Sequence, residues 1–197
     1  MGSNSNMGEI VIVSGLPRSG TSLMMRMLEA GGIEALTDQL RVPDEDNPNG
    51  YFEFEDVKSL REDSSWLQKA VGKSVKMVSV LLLELPKTRK YKVIFMRRDL
   101  GEIMMSQKAM LERSGKKINE NEQDKIAKNY VIHLKEMISW ILSAEHMDVL
   151  FVNYNDLISD AVDVIQSICR FFDRNLDSAK MASIIDPNLY RNRASII

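Results

Sequence analysis

The chain is 197 residues long, 44% hydrophobic and 27% charged, a composition that fits one globular domain and excludes collagen-like or grossly disordered chains. Its 26 basic and 28 acidic residues leave a formal charge of −2, so no nucleic-acid partner is expected, because such binding draws on a basic excess. The single cysteine (Cys169) rules out an internal disulfide, and with only two histidines (His133 and His146) no metal site is expected. No unbroken apolar run exceeds that of residues 80–83, far short of the ~20 residues of a membrane span. No basic-then-apolar signal opens the chain, and the expectation is a reduced, cytoplasmic protein. Residues 1–8 read as a cloning remnant or disordered leader, and 9–197 as one domain.

Residues 10–13 are a β-branched apolar run, as suits a strand buried on both faces of a parallel sheet. Residues 21–30 predict a helix with Leu23, Met24, Met27 and Leu28 on one side, ending at Gly31-Gly32. Residues 33–36 are a weaker strand candidate, and 41–50 a polar loop that suits a substrate-side lid. Strands are expected over 75–78, interrupted by Lys76, over 93–96 and over 149–152. Helices are expected over 100–113 and over 121–145, the latter with Ile126, Tyr130, Leu134, Met137, Ile138 and Ile141 at helical spacing. A last helix over 161–172 aligns Val162, Ile165, Ile168, Cys169 and Phe172. The methionines at 24, 25, 27 and at 104, 105, 110 read as adaptable core filling, and Trp66 and Trp140 as packing residues. Strands alternating with helices predict an α/β three-layer sandwich around a mainly parallel sheet.

The first strand runs into Ser14-Gly15-Leu16-Pro17-Arg18-Ser19-Gly20-Thr21-Ser22 and then a helix. Glycines turn backbone N–H groups inward and a helix N-terminus favours an anion, so this layout is a phosphate cradle of the P-loop, nucleotide-binding type. Gly15 and Gly20 keep the Walker A spacing, but Thr21 stands where that motif has lysine. The lysine normally reaches the outer phosphates of a nucleoside triphosphate, and its replacement argues against a kinase or ATPase. Arg18 supplies a cation inside the loop instead. A second site candidate is Arg98, at the end of the 93–96 strand, with Ser106 eight residues on. An arginine can hold a phosphate bidentately, and two helical turns bring Ser106 to the same face.

These residues resemble the sulfotransferases that use 3′-phosphoadenosine 5′-phosphosulfate (PAPS), the bacterial members above all. Pro17-Arg18-Ser19-Gly20-Thr21-Ser22 is similar to the family's loop for the 5′-phosphosulfate, and Arg98 with Ser106 to its 3′-phosphate pair. Residues 150–158 resemble the family's strand followed by Tyr-x-Asp-Leu and a helix. The ending around Arg191 and Arg193 resembles that of bacterial relatives; these arginines reach the cofactor's phosphates or form a basic tail.

The resemblance implies transfer of a sulfuryl group from PAPS to a hydroxyl or amine acceptor, with release of 3′-phosphoadenosine 5′-phosphate (PAP). Arg18 then stabilises the leaving oxygen and the sulfuryl oxygens. The backbone of Ser19 to Ser22, with the Thr21 and Ser22 hydroxyls, holds the 5′-phosphate. Cytosolic relatives carry a catalytic Lys-x-His; here Lys76-Met77-Val78 lacks the histidine. Neither His133 nor His146 replaces it: the first flanks an apolar helix face, and the second suits a cation at a helix end. Gly50-Tyr51-Phe52-Glu53 resembles a bacterial segment with a glutamate base, and its aromatic neighbours would give Glu53 the desolvation a base needs. Glu55 and Asp56 are fallbacks, and Lys76 orients the sulfuryl group or the acceptor. A P-loop nucleoside or nucleotide kinase, and a non-catalytic PAP- or anion-binding protein of the same fold, are the alternatives. The identity of the acceptor (small molecule, carbohydrate or protein) and a homo-oligomeric state are left open.

Overall fold

Strand β1 (Ile10–Gly15) is buried at all six positions. Its alternate residues feed two separate cores: Val11 and Val13 join one cluster, Ile10 and Ile12 the other. A strand that is apolar on both faces must have layers above and below it, and this fixes the architecture. The computed structural model describes residues 8–38, 40, 44, 50–116 and 119–186. Arg191, Arg193 and most of the 41–50 loop lie outside them, so the readings made there are not placed.

Among the described residues, four strands pair in the order β2-β1-β3-β4, every pair parallel. They are β1, β2 (Ser74–Lys76), β3 (Tyr91–Arg97) and β4 (Met147–Asn153). Helices α1 (Thr21–Ala30), α4 (Tyr154–Ser159), α5 (Ala161–Phe172) and α6 (Ser178–Ser183) supply the core on one face. The opposite face is covered by the C-terminal turns of α3 (Glu120–Ser143) and by three 3₁₀ segments, Glu55–Ser59, Ser65–Gln68 and Ser79–Glu84. Helix α2 (Leu100–Arg113) follows β3. The result is the expected α/β sandwich around a parallel sheet.

The differences from the sequence reading have local causes. Residues 33–36 do not form a strand; they contribute one parallel bridge, Ala35 to Ser74, beside β2. Strand β2 ends at Lys76, and the apolar run 80–83 is a 3₁₀ turn that buries Leu82 and exposes Val80 and Leu83. Asn119 caps α3 through a reciprocal capping box with Glu122, so the helix starts before Asn121. Of its apolar stripe only Met137 and Ile141 are fully buried. Val162 lies on the outside of α5. On α1 the methionines fill the core as expected, but α2 buries Glu102, Ile103 and Ser106, while Met105 faces solvent. The buried side of α2 is therefore mostly polar, which apolar periodicity cannot detect.

The strand order places the site. The chain leaves β1 toward β2 on one side and later returns to β3 on the other, so the order reverses at β1. Open α/β sheets bind ligands at the carboxyl ends of strands beside such a reversal. Gly15 pairs with Met96 there, setting the 14–22 loop beside Arg97 and Arg98.

Candidate functional site

The loop after β1 is held by geometry that only glycine permits at two positions. Gly15 has φ +150°, and a Cβ there would lie 2.6 Å from both the Met96 carbonyl oxygen and Ser19 Oγ. Gly20 has φ +98° and forms the N-cap of α1, and a Cβ there would run into the Tyr154 ring. Arg18 is itself left-handed, with φ +69°, a rare state for a side chain with a Cβ and one that concentrates at functional sites. No side chain among the described residues caps the N-terminus of α1, which leaves its first-turn N–H groups to an outside acceptor. The hydroxyls of Ser14 and Ser19, both fully buried, have no hydrogen-bond partner among the described residues. Buried polar groups without partners are costly, and a phosphate seated in the loop would supply acceptors for them.

Arg18 joins the two motifs. Its Nε donates to Ser106 Oγ at 2.9 Å, and its carbonyl oxygen accepts from Arg98 Nη1 at 3.2 Å. Arg98 is deeply placed. Its Nε donates to Glu102 Oε2 at 2.9 Å, and the two side chains are only 8% and 1% exposed. The Arg98 guanidinium lies 4.4 Å from the centre of the Tyr154 ring. Burial pushes the Tyr154 phenol up, against the opposing pull of Arg98, so it stays neutral. Asn155 Nδ2 donates to the other Glu102 oxygen at 3.1 Å. Asp99 caps α2 through the Glu102 N–H, 3.0 Å away, and so fixes where Glu102 leaves the helix.

A second cluster lies across the loop. Lys76 pairs in register with Val13 of β1. Its Nζ donates to Ser22 Oγ at 3.4 Å and to the Tyr51 carbonyl oxygen, and sits 3.7 Å from Glu53 Oε1. The Glu53 main chain is held by the segment after the Ala35 bridge: Thr37 Oγ1 and Asp38 N both donate to its carbonyl oxygen, at 2.9 and 3.2 Å. Phe52, just before it, has φ +52°, a backbone outlier for a bulky residue. Glu55 pairs with Lys58 on the outside and Asp56 is exposed, so neither fallback joins Glu53 and Lys76.

The structure thus brings Arg18, Arg98 and Ser106 into one cluster, and Glu53, Lys76 and Ser22 into another beside it. Pro17, Ser19 and Gly20 lie in the turn between β1 and α1, and Thr21 opens the helix. His133 shares a hydrogen bond with Ser79 at 2.7 Å. His146 is buried edge-on to Tyr91 and Trp140. Burial foremost, then Lys87 and Lys90, lowers its affinity for a proton, and its packing fits a structural role. Sequence reasoning missed Glu102, Asn155 and the role of Tyr154. The signal for Glu102 was present: an acid four residues after Arg98 on a helix meets it on the same face.

A comparison with curated proteins gives no match. Among solved structures, the chain is similar to the sulfotransferase domain from the Synechococcus PCC 7002 olefin synthase, with 16% identity over 100% of this chain and 92% of that one, TM-score 0.55. It is similar also to sulfotransferase STF1 from Mycobacterium tuberculosis H37Rv, with 17% identity over 89% and 70% and TM-score 0.58. With sulfotransferase STF9 from Mycobacterium avium it shares 15% identity over 92% and 68%, TM-score 0.59. At these identities the likeness shows a shared fold. The family model of the sulfotransferase domain matches residues 9–192, nearly the whole chain, and the protein belongs to that family.

Proposed function

We propose that the chain transfers a sulfuryl group from PAPS to a hydroxyl or amine acceptor and releases PAP. The observation that carries this reading is the meeting of both phosphate motifs at Arg18, bonded to Ser106 through its side chain and to Arg98 through its carbonyl. A nucleoside triphosphate site would not require the second motif. The unpartnered Ser14 and Ser19 hydroxyls and the uncapped α1 N-terminus fit a phosphate in the loop.

Bound PAPS supplies the sulfuryl group and a nucleotide leaving group. The N–H groups of Ser19 to Ser22, with the Thr21 and Ser22 hydroxyls, hold the 5′ end against the N-terminus of α1, and Pro17 helps turn the loop. Arg98 and Ser106 hold the 3′-phosphate. Ser106 Oγ accepts from Arg18 and keeps its own proton to donate. Arg18 offsets charge growing on the leaving oxygen, the kind of fixed electrostatic help that dominates group transfer. Glu53 takes the acceptor's proton, and Lys76, between Glu53 and Ser22, steadies both the carboxylate and the transferring group.

The test is turnover of PAPS with a panel of alcohols, phenols and amines, followed as PAP release and as sulfated product. ATP with magnesium is run beside it. Sulfated product with PAP supports the reading; phosphorylated product with ADP contradicts it.

A further inference from the structure

An anion site favours cations around it, yet a buried carboxylate stands beside Arg98. Glu102 is 1% exposed and stands against Arg98, the residue read as the 3′-phosphate ligand. By Coulomb's law alone it opposes any bound phosphate. Its geometry indicates another role. One carboxylate oxygen receives Arg98 Nε at 2.9 Å and the other Asn155 Nδ2 at 3.1 Å. The chain of bonds continues from Arg98 Nη1 to the carbonyl of Arg18, a residue in a left-handed backbone state that needs outside support. The Tyr154 ring packs against Arg98 and blocks the space beside Gly20. The first turn of α4, the first turn of α2 and the loop after β1 are thereby tied together through one carboxylate.

We propose that Glu102 is the positioning residue of the nucleotide site. It orients Arg98, and through Arg98 it holds the Arg18 peptide in the shape that cradles the 5′ end. The inference rests on the PAPS reading for its ligand, but its structural half does not. Two consequences separate positioning from mere charge. First, Glu102 governs binding of the 5′ end as well as the 3′-phosphate, so 5′-AMP, which lacks the latter, is affected too. Second, reach matters more than charge. Gln keeps the length and can still accept from Arg98 while donating to a turned Asn155 amide. Asp keeps the charge but is one methylene too short.

The experiment measures PAP and 5′-AMP affinity by calorimetry for the wild type, Glu102→Gln, Glu102→Asp and Asn155→Ala, with unfolding followed in parallel. Hydrogen exchange of the ligand-free 15–22 loop is recorded for each. Positioning predicts that Glu102→Gln binds both ligands within about threefold of wild type, while Glu102→Asp weakens both by roughly tenfold or more, the scale of a lost buried charge-assisted bond. Asn155→Ala should weaken both ligands to a smaller degree. Loop exchange should rise in Glu102→Asp and stay near wild type in Glu102→Gln. Tighter binding in Glu102→Gln with wild-type affinity in Glu102→Asp would show that Glu102 acts through charge and overturn the proposal. Unchanged 5′-AMP affinity in Glu102→Asp would overturn it as well. If the wild type itself binds no PAP, the PAPS reading falls, and the loop exchange alone decides the positioning role. Should Glu102→Asp fail to fold, Glu102→Gln and Asn155→Ala carry the same comparison.

Discussion

The two clusters that flank the loop are built differently. Around Arg98 the charged side chains are almost wholly buried, 8% and 1% exposed, and are anchored by regular elements, β3, α2 and α4. Around Lys76 the pair is more open, 13% and 36% exposed, and Glu53 stands on irregular chain held by Thr37, Asp38 and the Ala35 bridge. A buried, hydrogen-bonded ion pair resists rearrangement, whereas an irregular segment can vary without disturbing the sheet. The difference separates two tasks. On the proposed function, the rigid half suits the nucleotide and the looser half suits the acceptor. Backbone strain occurs in both: of the three left-handed non-glycine residues among those described, Arg18 lies in the first half and Phe52 in the second.

If this division is right, substitutions in the two halves should fail in different ways. The largest effect is expected for Glu53→Gln, which should lower turnover by about 10²–10⁴ as loss of a general base does, while PAP affinity stays at the wild-type value. Steady-state kinetics beside calorimetry checks both, and a weakened PAP affinity would dissolve the boundary between the halves. Arg18→Ala should lower turnover by about 10²–10³ and also weaken PAP, because its side chain reaches Ser106. Gly20→Ala comes next. Its Cβ would strike the Tyr154 ring at φ +98°, and strain of this type costs about 1–3 kcal/mol, readable as a shifted urea midpoint. Unchanged stability would mean that the loop is softer than the rigid half requires.

The smallest effect lies outside both clusters, at His146. Burial foremost, then Lys87 and Lys90, lowers its proton affinity from the ordinary value of 6.5. The unfolded chain therefore takes up the proton first. Stability from the neutral ring is full above the unfolded value and is lost as pH falls toward and through the lowered folded one. A pH series of melting temperatures should show this decline below about pH 6.5, and His146→Gln should flatten it while leaving PAP binding intact. An unchanged decline in the variant would assign it to other groups.

The parts legible in the sequence were those whose signals are local. Helix α1 begins at the glycine loop and ends at a glycine pair; α2 and α5 likewise agree with their expected bounds. The eight-residue spacing picked out Arg98 and Ser106 as a pair, but it hid the route by which they meet, through Arg18. Glu102 went unnoticed because tertiary packing, not apolar pattern, buries it. The 3₁₀ segments went unseen too, since their three-residue repeat matches neither the strand nor the α-helix period. Glu53 and Lys76 lie far apart in sequence, and only the parallel pairing of β1 with β2 brings Lys76 to the loop.

The central claim is that one cluster recognises a nucleotide carrying both a 5′- and a 3′-phosphate. The most direct measurement is calorimetric titration of the protein with PAP, set against ADP, and repeated on Arg98→Ala. Tight PAP binding that ADP does not match is expected, with loss of that preference in the variant. Equal affinity for PAP and ADP, or a preference that survives Arg98→Ala, would contradict it.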